Sequence, residues 1–139
     1  MLRAMRLVIR EIHASGNPDA LNDEWFVVEN AGYRAFSTSG CSVLVGKSQG
    51  RLRAIGTLDP GFTLQPQERM RVITGNPGKK AHGPVPAEAD GPKNYHLFQG
   101  SRLLGGPGSV IALALRQQEL ARASFDPGAA GGVAPTSGE

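Results

Sequence analysis

The sequence predicts an all-β domain, a sandwich of roughly seven to nine short antiparallel strands. Three observations carry that prediction. The 139 residues include 19 glycines and 10 prolines, more punctuation than helices tolerate, because glycine loses entropy in regular elements and proline removes a backbone donor. Several segments alternate apolar and polar residues with period two. Turn signals recur at about the eight- to twelve-residue interval expected of sandwich strands. The length suits one domain with one core, and hydrophobic residues make up 40% of the chain.

The elements follow in order. Met5 to Ile12 alternates arginines with Leu7 and Ile9, the pattern of a half-buried strand. A turn-like stretch from Ser15 to Asp23 leads to Glu24–Glu29, apolar on both faces and so a central strand. Asn30-Ala31-Gly32 turns the chain into a short strand at Tyr33–Phe36. Cys41–Val45 is the next strand and Gly46–Gly50 a turn, before Arg51–Ile55 alternates again. Asp59-Pro60-Gly61 turns into Phe62-Thr63-Leu64, and Arg69–Thr74 places Met70 and Val72 inward with Arg69 and Arg71 outward. The predicted core joins Trp25 or Phe26, Val28, Phe62, Leu64, Met70, Val72, Ile111 and Leu113.

Residues 75–93 break this rhythm. Four prolines, four glycines and Lys79-Lys80 leave little to bury, and loops this long are either functional or disordered. The segment is therefore expected to be mobile. Asn94–Phe98 and Ser109–Leu115 are the last clear strands. Glu119–Phe125 reads as the return arm of a hairpin, although Leu113–Ala123 also suits a helix by propensity. The domain spans residues 5–126, and 127–139 reads as a disordered Gly/Ala/Pro tail.

The net charge of +3 is mild. It permits contact with a polyanion but does not demand one, since nucleic-acid binding needs the charge gathered on one face. The one cysteine, Cys41, excludes an intrachain disulfide and reads as a small buried hydrophobe. The N-terminus lacks the apolar core of an export signal, because Leu7–Ile9 is bounded by arginines. No stretch approaches a membrane span. The expectation is a cytoplasmic chain as it stands, or a secreted or envelope protein if a leader has been removed.

Catalytic signatures do not emerge. His13, His82 and His96 are far apart, and no zinc spacing occurs. Gly105-Gly106-Pro107-Gly108 lacks the Lys-Ser/Thr of a phosphate loop. No catalytic, cofactor or metal residues are assigned, and the chain reads as non-enzymatic. The candidate binding surface is basic: Arg51, Arg53, Arg69 and Arg71 at outward strand positions, with Lys79, Lys80 and Lys93 from the long loop. Converging on one face, they would track phosphates. Dispersed, they would only solvate strand faces and blunt sheet edges.

Two segments resemble the lamin tail domain. Asp23–Gly32 is similar to its opening acidic-aromatic strand ending in Asn. Leu58–Gly75 looks like its most recognisable stretch, a Pro-containing turn, Phe-Thr-Leu, a second turn and an apolar strand ending near Gly. Tyr95–Gly100 and Val110–Leu113 stand where the family has its next two strands, so the resemblance covers nearly all of the chain. Two departures stand out: Cys41 where many bacterial members have Trp, and Gly105–Ser109 where they carry a Gly-Asp turn. The resemblance implies an immunoglobulin-like sandwich of the microbial stand-alone type. It also implies a non-catalytic interaction module with a protein or envelope partner, and nucleic acid as the alternative.

Overall fold

The computed structural model describes residues 5–47, 50–88 and 91–135. Parts of the expected Gly46–Gly50 turn, the 75–93 loop and the tail lie outside these. The chain is all-β, and no helix among the described residues reaches seven residues. Among the described residues there are ten strands: β1 (Leu7–His13), β2 (Trp25–Asn30), β3 (Phe36–Ser37), β4 (Ser42–Lys47), β5 (Arg53–Thr57), β6 (Thr63–Leu64), β7 (Arg69–Ile73), β8 (Lys93–His96), β9 (Ser109–Leu115) and β10 (Gln118–Ser124). The count passes the expected range because β3 and β6 are two-residue strands paired only with each other.

The other eight strands form two four-stranded sheets, ordered β1-β2-β7-β8 and β10-β9-β4-β5. Their inner faces make one core of Leu7, Ile9, Phe26, Val28, Val43, Val45, Met70, Val72, Ile111 and Leu113. Phe62 is only half-buried at its margin, meeting Tyr95 edge-on at 5.8 Å between ring centroids. Trp25 alternates with Phe26 and so stands on the outer face of its sheet.

Asn30 makes the corner after β2. It is fully buried, and its amide donates to Arg34 O at 2.8 Å and Leu64 O at 2.9 Å. Its Oδ1 accepts from Gly32 N–H at 2.9 Å, so one side chain ties the turn to β6. Thr38 does similar work, exchanging hydrogen bonds with the Phe62 backbone at 2.9 and 3.1 Å.

One pairing is not antiparallel. β8 runs parallel to β7, with Val72 opposite Tyr95. Parallel neighbours cannot be joined by a tight turn and need a long crossover, and Thr74–Pro92 is that crossover. Its described part is tied to the fold by polar side chains: buried His82 accepts from Asn76 N–H through Nδ1 at 3.0 Å. The amide of Asn22 donates to Asn76 O at 3.1 Å and Gly83 O at 2.9 Å. Polar side chains, rather than apolar burial, hold the segment down.

The described part of the expected tail, residues 127–135, makes backbone contacts with the sandwich. Phe125 and Val133 form an antiparallel bridge, and Ala134 N–H donates to Ser124 O at 2.9 Å. Small residues make this docking fit: Gly131 and Gly132 have φ of 65° and 75° and abut the carbonyls of Arg10 and Ile12, where any Cβ would collide.

Candidate functional site

On the outer face of the first sheet, β2 lies between β1 and β7. His13 of β1 stacks on Trp25 at 4.6 Å between centroids and 7° between planes. From the β7 side the Arg71 guanidinium lies 4.6 Å from the same indole ring. Arg71 also donates to Asn94 Oδ1 at 2.9 Å. The indole thus has a ring on one flank and a cation on the other, a favourable pairing for both.

Further along the same face, Glu29 accepts from Arg69 Nε at 2.7 Å and Arg10 at 3.0 Å. Burial alone would raise this carboxyl. Hydrogen bonds and attraction from the two arginines outweigh burial and hold it below the ordinary carboxylate value. Arg69 also reaches Glu11 at 4.0 Å. The outward positions expected for Arg69 and Arg71 are correct, but both guanidiniums are committed to intramolecular partners.

The remaining basic candidates are not gathered with them. Arg53 belongs to β5, the edge of the second sheet, and Arg51 precedes it. Lys79 and Lys80 sit on the crossover, where Lys80 opens the short 3-10 turn Lys80–His82 and Lys79 precedes it. Lys93 opens β8, its ammonium 5.9 Å from the Phe62 ring. The seven residues are divided between two sheets and a crossover.

Among the described residues no group of three or more His, Cys, Asp or Glu is placed to hold a metal ion. Cys41 is fully buried, and burial pushes its thiol above the ordinary value. His96 Nδ1 donates to Gly75 O at 3.2 Å; burial lowers its pKa, against opposing contributions from that bond and from Glu88.

Glu24 is the buried polar residue that sequence reasoning passed over as the start of a strand. It is 2% exposed. Its carboxyl accepts from Thr74 Oγ1 at 2.6 Å and from the backbone N–H groups of Leu103 and Leu104 at 2.7 and 3.2 Å. It clamps the loop after β8 to the first sheet. Nothing local signals this, because the partners lie up to 80 positions away.

The second sheet presents a different outer face. Leu44 lies opposite Ala112, and Ala114 is next on the same face. Leu52 packs over Gly46, where a Cβ would stand 2.8 Å from its methyl group. This shallow apolar strip is bordered by Arg51, Gln117, Glu119 and Arg122, of which Glu119 and Arg122 form an exposed ion pair at 2.8 Å. No helix among the described residues is long and apolar enough to cross a membrane.

The fold and its surface define an all-β sandwich with an apolar strip on one sheet and internally paired charges on the other. No protein-family model matches the chain, and no curated protein matches it significantly.

Proposed function

We propose that the protein is a non-catalytic interaction module of the lamin-tail type whose partner is another protein. The observation that carries this reading is the contrast between the two outer faces. Arg69 and Arg71 are engaged by Glu29, Trp25 and Asn94. The second sheet meanwhile exposes an apolar strip of Leu44, Leu52 and Ala114 within a sparse polar rim. Scattered, paired charge is a poor phosphate track, whereas an apolar patch with a polar border suits a protein surface.

The test compares capture of cellular proteins by the wild-type chain and by Leu44→Glu, a half-buried position on that strip. A partner retained by the wild type and lost by a variant of unchanged melting temperature is expected. Equal capture by both would move the interface elsewhere. Tight binding of labelled duplex DNA at about 50 mM salt, weakening steeply with added salt, would favour the nucleic-acid alternative instead.

A further inference from the structure

The first part of the crossover is a closed loop bonded mostly to itself. Within residues 76–83, Gly78 N–H donates to Asn76 Oδ1 at 2.8 Å and Lys79 N–H donates to Asn76 O at 3.1 Å. The His82 and Gly83 N–H groups return to the Lys79 and Lys80 carbonyls, each at 3.1 Å. The His82 ring closes the circle by accepting from Asn76 N–H at 3.0 Å. This is the make-up of an Ω-loop, a short surface loop packed by its own side chains with its ends together.

Its attachment to the sandwich is thinner. Among the described residues, every hydrogen bond that leaves residues 76–83 goes to one side chain, Asn22. The Asn22 amide donates to Asn76 O at one end of the loop and to Gly83 O at the other. Residues 77–81 are exposed, and His82 alone in the loop is buried. The latch is also imperfect, because Asn22 is 0% exposed and its Oδ1 has no partner among the described residues. Docking gains two amide bonds and strands one acceptor, and a buried unsatisfied acceptor costs as much as a hydrogen bond contributes, or more. The chain on either side is held independently: Gly75 O accepts from Phe98 N–H at 3.3 Å, and Pro86 O accepts from the Asn94 amide at 2.7 Å. Gly83, at φ 87°, supplies a swivel at the far end of the loop.

We propose that residues 76–83 form a flap that detaches as a unit from the Leu21–Asp23 turn, with Asn22 as its latch, while both sheets stay folded. Opening gives the stranded Asn22 oxygen to water and carries exposed Lys79 and Lys80 away from the sheet. Segments open locally where few buried apolar contacts hold them, and this one buries no aliphatic side chain.

Two thiols in one molecule provide the test. His82→Cys places a thiol on the buried side of the flap, and Cys41, 0% exposed, reports on the sandwich core. Labelling of the full chain with a maleimide is followed separately at each site. The introduced thiol should react at least about a hundredfold faster than Cys41. Low urea should leave that rate unmoved, because a flap opening exposes little surface. Adding Asn22→Leu should speed the reaction about tenfold through loss of the latch, with Cys41 still protected. In the wild-type chain, the Asn22 side-chain amide protons should exchange faster than the backbone amides of β2 and β7, again independently of low urea. If Asn22→Leu does not fold, this wild-type exchange decides. Equal labelling of the two thiols, labelling at the rate of a small free thiol before Asn22 is changed, or no gain from Asn22→Leu would overturn the flap. So would an Asn22 amide that exchanges only together with the core.

Discussion

Glu24→Ala removes the carboxyl that joins the first sheet to the loop after β8. The side chain is 2% exposed and accepts three hydrogen bonds, from the Thr74 hydroxyl and the Leu103 and Leu104 amides. Truncation orphans two backbone N–H groups and one hydroxyl. Each unsatisfied buried donor costs about 1–3 kcal/mol, giving a gross loss of about 3–9 kcal/mol. Two effects reduce it: the burial cost of the carboxyl itself disappears, and the loop can turn its amides toward water. We expect a net loss of about 3 kcal/mol. Glu24→Gln keeps the shape and one acceptor oxygen, so the two shorter bonds survive while its NH2 faces an N–H donor. It should lose about 1–2 kcal/mol. Urea unfolding at neutral pH measures both, and hydrogen exchange at Leu103 and Leu104 should quicken most in the Ala variant. A loss under about 0.5 kcal/mol for Ala, with exchange at those amides unchanged, would refute the clamp.

Gly75→Ala should cost about 2–3 kcal/mol in thermal melts through crowding alone, because its Cβ would lie 2.8 Å from Asn22 N and the Leu21 carbonyl carbon. Phe62→Ala should cost about 2 kcal/mol, less than the 3–5 kcal/mol expected of Phe26→Ala, since Phe62 is half-buried and Phe26 is 1% exposed. Replacing Arg116-Gln117 with Asn-Gly should stabilise by about 1 kcal/mol, because both residues hold positive φ, 51° and 69°, in the β9–β10 turn. Acid should destabilise in two stages. The His96 ring titrates below its ordinary 6.5, so the unfolded chain takes the proton first and stability falls as pH drops from there. Glu29 titrates below its ordinary 4.5, so its contribution is present above that pH and is lost as pH falls through the depressed value. Urea midpoints across this range should show the lower stage flattened in Glu29→Gln; an unchanged profile would contradict the paired carboxyl.

The period-two segments were legible because they are local. Ser109–Leu115 forms as expected, and Phe26, Val28, Met70, Val72, Ile111 and Leu113 reach the core on alternation alone. The return arm of the last hairpin was ambiguous for an equally local reason. Arg116-Gln117 adopts the positive φ of a two-residue hairpin turn without the Asn-Gly that usually marks one. Its register, Gln118 opposite Leu115, comes from burying Ala121 and Ala123.

What the sequence by itself determined is the class of fold, the alternation of inward and outward residues, and the outward placement of Arg69 and Arg71. Those follow from periodicity, which short-range sterics impose wherever one face is buried. The tertiary structure alone decided that β8 runs parallel to β7, which turns the 75–93 loop into an anchored crossover. It also decided that Glu24 meets a loop about 80 positions away and that Gly131 and Gly132 seat the tail against β1. It placed Glu29 and Trp25 where they engage the two outward arginines. Each of these depends on which strands become neighbours. That choice is made by the fit of whole surfaces to one another, and no window of adjacent residues contains it.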